Sequence, residues 1–482
     1  MANSKNINAH IHGADYETVP DNYLDKRQLK SGAVGWVLLA SLGVSYVISG
    51  SFAGWNFGLA QGGFGGLLIA TVLMAIMYFS MVFSLAELSA ALPTAGGGYS
   101  FARRAFGPLG GFMTGAAILI EYAIAAAAIA IFIGGYVSEL TGVNGPIVYA
   151  IFYSVFIGIH LFGAGEALKI MMCITATAVI ALLIFVVSMV PYFNVNNLTD
   201  IKVVEDAVGA SKFLPFGYMG IWASLPFAMW LFLAIEGVPL AAEESRNPAK
   251  DVPKGIIAAI CILSVSACSV LFLAPGGAGA QVMSEHGAPL VGALQAVHGE
   301  HSKIAAVLNI VGLFGLIASF FSVIYAYSRQ LFALSRAGYL PRFLSVTGKN
   351  KVPVYALIVP GVIGFLCSLT GEGDLMITMA VFGATVSYAL MMSSHIVLRF
   401  KEPNLNRPYK TPGGILTSSI ALVFSLIALA STFLVSKEAA MWSAVVYAVM
   451  LAYFIFYSRH HLVAKAPEEE FEAIKAAQLD IN

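Results

Sequence analysis

Two short stretches decide the predicted fold: SGSFAGW at 49–55 and AIEGVP at 234–239. Both lie inside long apolar segments, where glycine and serine make a poor continuous helix. In the second stretch, Pro239 lacks a backbone N–H and Gly237 frees the chain nearby. Backbone that leaves the helix at membrane depth is tolerated only where it is buried in protein or lines a cavity. We therefore predict two interrupted membrane helices that enclose a binding site.

The rest of the chain supplies the other membrane spans. Of its 482 residues, 59% are hydrophobic and only 11% are charged, against about 25% charged in a soluble domain. A spanning helix needs about 20 mostly apolar residues, so the sequence predicts an all-α membrane protein with twelve transmembrane helices. The predicted spans are 34–60, 65–92, 109–140, 147–163, 168–190, 217–240, 256–273, 304–334, 353–369, 377–397, 415–434 and 441–458.

The spans divide the chain into three regions. These are an N-terminal tail (1–30), a transporter domain (31–458) and a polar, acidic C-terminal tail (459–482) that we expect to be solvated or disordered. Helices 1–5 occupy about 34–190, helices 6–10 about 217–397 and helices 11–12 about 415–458. The interrupted spans are the first and the sixth, which favours two inverted repeats with a substrate site between them. The alternative is ordinary glycine packing and a proline kink, both common in membrane helices.

The basic residues predict the orientation of the chain. Segments on one side of the predicted membrane carry most of the lysines and arginines, whereas the other side holds only Lys202, Lys212, Lys303 and Lys437. Because basic loops stay in the cytoplasm, we expect both termini inside. The zero formal net charge argues against a nucleic-acid partner.

Two carboxyl groups lie deep in apolar sequence, Glu121 in the third span and Glu236 in the sixth. A carboxylate is costly in hydrocarbon, so such residues usually face a cavity, a partner or a proton path. Aromatic residues cluster near them and near the interruptions, and a cation over an aromatic face is stabilised. Alternatively, each acid makes a structural hydrogen bond between helices, and each ring belongs to the core or faces lipid. The aromatic residues are Phe52, Trp55, Tyr122, Trp230 and Phe232.

Other polar groups favour structural roles. Glu87, Glu243 and Glu244 are expected to form surface ion pairs that fix loop geometry, each contributing about 0–1 kcal/mol. His298, Glu300 and His301 lie in an outer loop where no metal is expected. All four cysteines fall in apolar stretches and are expected to be buried and free. Since HExxH, GxSxG and GxxxxGK[ST] motifs are missing, we expect neither an enzyme nor a cofactor.

Four further stretches resemble the amino acid–polyamine–organocation (APC) superfamily of transporters. They are FSLAELSAALPTAGGGYSFARRAFG at 83–107, AEESRNPAKDVP at 242–253, SRQLFALSRAGYLP at 328–341 and RPYKTPG at 407–413. The resemblance implies the leucine-transporter fold, with 5+5 inverted repeats, broken helices 1 and 6, and helices 11 and 12 added. The chain is most similar to the ethanolamine permease branch, which implies a multi-pass protein of the bacterial cytoplasmic (inner) membrane.

The resemblance also implies the site. The helix 1 interruption matches the family's G-[ST]-G-I-F substrate segment, although its glycines are shifted. Residues 230–237 resemble the W-x-F-x-G-x-E pattern of the basic amino acid antiporter and yeast-type branches, and residues 121–122 resemble the L-E-Y of cationic amino acid transporters. The implied substrate-binding residues are Ser49, Gly50, Ser51, Phe52, Ala53, Gly54, Glu121, Tyr122, Trp230, Phe232, Ala234, Glu236 and Gly237.

Gating and coupling are expected to involve Glu236, Glu121, Trp55 and Thr177. Proton-coupled relatives often carry a lysine midway along helix 5, where this chain has Thr175 or Thr177. The coupling ion therefore stays open between a proton and Na⁺, and the sequence does not define an oligomeric state.

The shifted helix 1 segment and the two buried acids suit a substrate with an ammonium and no carboxylate. We expect a secondary active transporter that imports a small amine, ethanolamine, across the lipid bilayer by alternating access. The alternative is an amino acid permease, exchanger or H⁺ symporter of the same superfamily. A channel or a transport-dead sensor is a third hypothesis; the paired interruptions suit an occluding site better than an open pore.

Overall fold

The computed structural model describes residues 7–11, 13–17, 19–29, 32, 34–299, 303–463, 466, 467 and 469. Within them, nine helices are long and apolar enough to cross a membrane. Three shorter apolar helices, Trp36–Val47, Pro146–Leu161 and Val354–Ser368, accompany these nine. The chain is therefore a nearly all-helical, multi-pass membrane protein.

The regular elements follow one another along the whole chain. The α-helices are α1 (Trp36–Val47), α2 (Ser49–Phe52), α3 (Asn56–Ala91), α4 (Gly98–Thr141), α5 (Pro146–Leu161), α6 (Ala164–Met189), α7 (Gly217–Trp230), α8 (Pro248–Ala278), α9 (Ala280–Glu285), α10 (Pro289–His298), α11 (Lys303–Arg336), α12 (Val354–Ser368), α13 (Gly373–Lys401), α14 (Ile415–Val435) and α15 (Lys437–Phe456). Short 3-10 helices cover Asp21–Tyr23, Val190–Tyr192, Val195–Thr199, Ile235–Glu244, Arg342–Ser345 and Ser458–His460. The strands are β1 (Ile7–Ile11), β2 (Ala14–Glu17) and β3 (Leu462–Val463).

The chain leaves regular helix at the first predicted interruption. After the single turn of α2, Ala53 is extended, with φ −157° and ψ 162°. Gly54 then adopts a left-handed φ of 95°, a conformation that glycine reaches without a side-chain clash. Helix α3 begins at Asn56 and bends again at Gly63, so it joins the end of the first predicted span to the whole of the second.

The second interruption falls earlier than the proline suggests. Helix α7 ends at Trp230, and Ala234 has a left-handed φ of 76°, which is uncommon for a residue with a side chain. A 3-10 helix, Ile235–Glu244, then continues the chain, and Pro239 lies inside it. The turn therefore depends on Ala234, and the proline helps to keep the following segment out of α-helical geometry.

Both interruptions lie in the interior of the bundle. Helix α1 packs against α8, α11 and the 3-10 helix Ile235–Glu244, and α3 packs against α7 and α8. The long helix α4 packs against α11, α12 and α13, while α14 and α15 lie beside α13. Helices α9 and α10, together with the 3-10 helix Val195–Thr199, pack over α3, α8 and α11.

The two tails form a small sheet, which the all-α prediction did not include. Strand β2 pairs antiparallel with β1 and parallel with β3, so the beginning and the end of the chain meet. The expectation of a solvated C-terminal tail is wrong at Glu469, which is buried and accepts hydrogen bonds from Arg103 at 2.7 Å and from Tyr16 at 2.9 Å. Burial, together with this glutamate, raises the pKa of Tyr16 well above its ordinary value, so the phenol stays a hydrogen-bond donor.

Three of the four cysteines lie on the outside of the bundle. Cys173, Cys261 and Cys268 are exposed, Cys367 is half-buried, and all four are free thiols. The expectation of buried cysteines is therefore wrong for the first three. In a membrane protein the outer surface meets lipid, so an apolar stretch does not tell which of its side chains face inward.

Candidate functional site

The two interruptions touch each other. The Trp230 indole N–H donates to the Ala53 carbonyl at 3.0 Å. A Cβ atom added to Gly50 would lie 2.4 Å from the Trp230 carbonyl oxygen, and one added to Gly54 would lie 2.6 Å from the indole nitrogen. Only glycine fits at these two positions, so the small residues of the first interruption let the second approach it.

Side chains of neighbouring helices form hydrogen bonds with backbone N–H and C=O groups around the first interruption. The Tyr136 hydroxyl of α4 donates to the Phe52 carbonyl at 2.8 Å. The Ser319 hydroxyl of α11 accepts the Ser49 N–H at 2.9 Å and donates to the Ser45 carbonyl at 2.6 Å. Unpaired backbone groups are costly in a membrane interior, so these bonds hold the broken helix in place.

A small cavity lined by buried residues lies between the two interruptions, α4 and α11. Its volume is about 10 Å³, which is about the space that one water molecule needs. The lining residues are Tyr46, Ser49, Ala125, Ile129, Trp230, Leu233, Ala234 and Val323.

Beside this cavity, the two predicted buried acids form one hydrogen-bonded cluster. The Tyr122 hydroxyl donates to one oxygen of Glu236 at 2.8 Å. The Tyr388 hydroxyl lies 2.7 Å from the other oxygen of Glu236 and 3.2 Å from Glu121. Both carboxyl groups are buried, and among the described residues neither pairs with a lysine or an arginine.

The geometry of this cluster suits a proton shared between the acids. A phenol has one proton, so Tyr388 donates to only one of the two carboxyl groups at a time. The shorter contact favours donation to Glu236, and the same hydroxyl lies within donating distance of Glu121. Two unpaired carboxylates side by side in a low-dielectric interior would repel each other. The cluster therefore suits one negative charge and one shared proton.

One buried and one partly exposed ion pair lie at the end of the bundle that carries the termini. Glu244 accepts from Arg329 at 3.1 Å and from the Tyr325 hydroxyl at 2.6 Å, and both charged side chains are 1% exposed. Glu243 pairs with Arg336 at 2.6 Å and accepts the Ala95 N–H at 3.0 Å. The segment after the second interruption is thus tied to α11 and to the loop before α4.

A third acid at this end joins α3 to the segment between α13 and α14. Glu87 contacts Arg399 at 2.5 Å and Arg407 at 3.0 Å, and it accepts the Thr411 N–H at 2.7 Å. The expectation that these acids form surface pairs is wrong for Glu87 and Glu244, since both are buried. A sequence shows a loop acid beside basic residues, but it does not show that the loop folds back onto the bundle.

At the opposite end, the segment between α9 and α10 touches the first interruption. The Asn56 amide accepts the Gly54 N–H at 3.1 Å and donates to the His286 carbonyl at 3.1 Å, between α9 and α10. His298, at the end of α10, packs edge-on against Tyr192. Glu300 and His301, the other members of the predicted histidine cluster, lie outside the described residues. The described part of the chain holds no group of three potential metal ligands.

Comparison with known proteins now identifies the family. The model of the amino acid permease family matches residues 34–456, which contain every element described above except the tail strands and the 3-10 segments beside them. The chain belongs to the amino acid permease family. It is accordingly a membrane transporter of amino acids or related small molecules, not an enzyme.

Several curated relatives of this permease are similar over most of its length. An uncharacterized transporter of Rhizobium meliloti is 29% identical over 406 residues, which cover 82% of this chain and 85% of the relative. The branched-chain amino acid permease BcaP of Bacillus subtilis is 26% identical, with 80% and 85% covered. The methylthioribose transporter of the same organism is 26% identical, with 87% and 90% covered.

The fold of this permease brings together many of the predicted site residues. Ser49, Trp230 and Ala234 line the cavity, and Gly50, Ala53 and Gly54 form the contact between the interruptions. Glu121, Tyr122, Glu236 and Gly237 belong to the acid cluster or lie directly against it. Five predicted residues have side chains that lie apart from the cavity and the acids. The Ser51 hydroxyl bonds to Ser266 at 2.7 Å, the Phe52 ring packs on Gly315, and the Phe232 ring packs on Tyr78. Trp55 is buried with its indole N–H unpaired among the described residues, and the Thr177 hydroxyl bonds to Cys173 in its own helix.

The sequence analysis missed four residues of this permease site. Tyr136 and Ser319 hold the first interruption, Tyr388 joins the two acids, and Tyr46 lines the cavity. Tyr46 lies three residues before the first interruption, so its position in the sequence could have indicated that it belongs to the site. The others come from distant helices, and no local pattern distinguishes them from other tyrosines and serines of the chain.

Proposed function

We propose that this permease is a secondary active transporter that imports a small amine, ethanolamine, by alternating access. The proposal includes twelve spans in 5+5 inverted repeats plus two helices, with the domain at 31–458 between cytoplasmic tails 1–30 and 459–482. It also places the protein in a bacterial cytoplasmic membrane. The observation that carries the substrate class is the pair of buried acids beside the cavity, because neither has a cationic partner in the described structure.

An ammonium group would supply the missing positive charge. Desolvating a carboxylate costs several kcal/mol unless a counter-charge or hydrogen bonds compensate. Glu236 already accepts two phenolic hydrogen bonds, so a substrate ammonium entering beside Ala234 would complete its neutralisation. The proton on Glu121 would then be the coupling ion, because the two acids belong to one site.

The size of the cavity supports a small substrate. Only about 10 Å³ remain between the interruptions in this structure. Any substrate therefore binds only when the interruptions and their neighbours move apart, and a two-carbon amine demands the smallest displacement.

A second candidate is an amino acid permease or exchanger of the same superfamily. It is favoured by the similarity to the branched-chain amino acid permease of Bacillus subtilis. In this case the backbone of the first interruption would bind the substrate carboxylate, and Glu236 would bind its ammonium.

A substrate panel in proteoliposomes separates the two candidates. Uptake of labelled ethanolamine, leucine, isoleucine and methylthioribose is measured with and without a pH or Na⁺ gradient. We expect ethanolamine to be accumulated and leucine not to compete with it. Accumulation of leucine without ethanolamine would overturn the proposal in favour of the second candidate.

The role of Glu236 is tested by replacing its charge alone. We expect Glu236→Gln to abolish ethanolamine uptake while the protein still inserts, because the amide cannot neutralise an ammonium. Glu139→Gln is the matched control, since Glu139 lies on α4 like Glu121 but is exposed. Normal uptake by Glu236→Gln would remove this residue from the site.

A further inference from the structure

The cavity wall contains a buried phenol for which the described structure provides no partner. The Tyr46 side chain is 1% exposed, and its hydroxyl has no hydrogen-bond partner among the described residues. Other buried phenols near the site are paired: Tyr122 with Glu236, Tyr136 with the Phe52 carbonyl and Tyr325 with Glu244. A buried hydroxyl without a partner is destabilising, so its presence in this wall needs an explanation.

The position of Tyr46 links the cavity to the acid cluster. The residue lines the cavity, and its ring packs so closely on Gly237 that an added Cβ would lie 2.9 Å from the ring. The same Cβ would lie 3.3 Å from the Tyr122 hydroxyl, which is bonded to Glu236. The unpaired phenol is thus held next to the residue that follows the acid.

The rest of the wall offers little else to a polar substrate group. Ala125, Ile129, Leu233 and Val323 are apolar, and the Trp230 N–H already donates to Ala53. Tyr46 and Ser49 are the remaining hydroxyl groups of the lining. A phenol both donates and accepts a hydrogen bond, so it can pair with an alcohol whichever way the alcohol's own proton points.

We propose that Tyr46 is a specificity-determining residue, whose hydroxyl binds the alcohol group of an amino alcohol while the acid cluster holds its ammonium. This inference rests on the proposed transport of ethanolamine and assigns the second end of that substrate. A buried polar group built to pair with a substrate hydroxyl rejects an analogue that lacks it, because the protein group then stays unpaired. The site should therefore discriminate ethanolamine from propylamine, in which a methyl group replaces the hydroxyl.

The test compares uptake of labelled ethanolamine and propylamine by purified protein in proteoliposomes. We expect the wild type to prefer ethanolamine by at least tenfold in kcat/KM, which corresponds to about 1.4 kcal/mol. Tyr46→Phe should lose most of this preference through slower ethanolamine uptake, while propylamine uptake is retained or increased. Tyr136→Phe is the matched control, because it removes a phenol that binds only backbone and should slow both substrates equally.

The outcomes separate this inference from the proposed function. A wild type that transports no ethanolamine overturns both. A wild type that transports ethanolamine, with the preference unchanged in Tyr46→Phe, overturns the role of Tyr46 and leaves the proposed function intact. Equal loss of both substrates in Tyr46→Phe also overturns it, since that result describes a packing role. Circular dichroism and gel filtration confirm that each variant is folded.

Discussion

Replacing Glu244 by glutamine should open the end of the bundle that carries the termini. The change keeps the size of the side chain but leaves the guanidinium of Arg329 buried without a counter-charge. Both side chains are 1% exposed, so solvent screens this charge little. Breaking a buried pair by removing one partner costs about 3–5 kcal/mol. In a carrier this cost falls on the closed form, because opening the end would hydrate Arg329.

The expected change in the ratio of open to closed protein is large enough to measure by thiol labelling. A penalty of about 3–5 kcal/mol changes the ratio of open to closed forms by about two to four powers of ten. Ala125 lines the cavity and is 2% exposed, so Ala125→Cys in a background without the native cysteines reports on opening. An impermeant maleimide is added to inside-out vesicles. Labelling of the Glu244→Gln variant should be at least about a hundredfold faster than that of its parent.

Two further variants make the result specific. Glu402→Gln breaks the pair with Arg104, whose side chains are 22% and 18% exposed, and a surface pair contributes about 0–1 kcal/mol. We therefore expect Glu402→Gln to leave the labelling rate nearly unchanged. The double variant Glu244→Gln, Arg329→Gln leaves no unpaired buried charge, so its labelling should return towards the parent rate. Equal labelling of the parent and Glu244→Gln would refute the role of this pair in closure.

Two other substitutions test two separate features: the contact of one interruption with the other, and the ion pair that Glu469 of the C-terminal tail forms with Arg103. Gly50→Ala places a Cβ 2.4 Å from the Trp230 carbonyl oxygen. Because overpacking costs about 1–3 kcal/mol, ethanolamine uptake by this variant should fall at least about tenfold. Gly158 has open space around it, so the control variant Gly158→Ala should take up ethanolamine normally. Unchanged uptake by Gly50→Ala would contradict the close approach. Glu469→Gln leaves Arg103 buried without its partner, so the unfolding temperature in detergent should drop by several degrees for a loss of about 3–5 kcal/mol. An unchanged unfolding temperature would show that the pair of Arg103 and Glu469 adds no stability.

The interruptions were predictable because their causes are local. Glycine and serine in an apolar segment weaken a helix wherever it packs, which predicted a break within 49–55. The break falls at Ala53 and Gly54, after the helical turn Ser49–Phe52. The second break was predicted in the right stretch, but the turn falls at Ala234. Next to this turn, the Trp230 indole N–H donates to the Ala53 carbonyl, a contact between residues far apart in sequence that no local pattern indicates.

The partners of the acids were not predictable from the same patterns. Glu121 and Glu236 each looked costly in an apolar helix, but Tyr388, which joins them, lies more than a hundred residues further on. The chain has 20 tyrosines, and burial of any one follows from tertiary packing. The same reason explains why Glu87 and Glu244 were expected at the surface and why Cys261 was expected inside.

The parallel pairing of β2 with β3 has a consequence for how the protein is made. Strand β2 precedes the whole bundle and β3 follows its last helix, so the ribosome releases β2 long before its partner exists. Until Glu469 has been synthesised, Arg103 and Tyr16 lack the carboxylate that both contact. A chain truncated before β3 therefore leaves β2 with an open strand edge and an arginine without its counter-charge. Closure of this sheet therefore follows the synthesis of all the membrane helices.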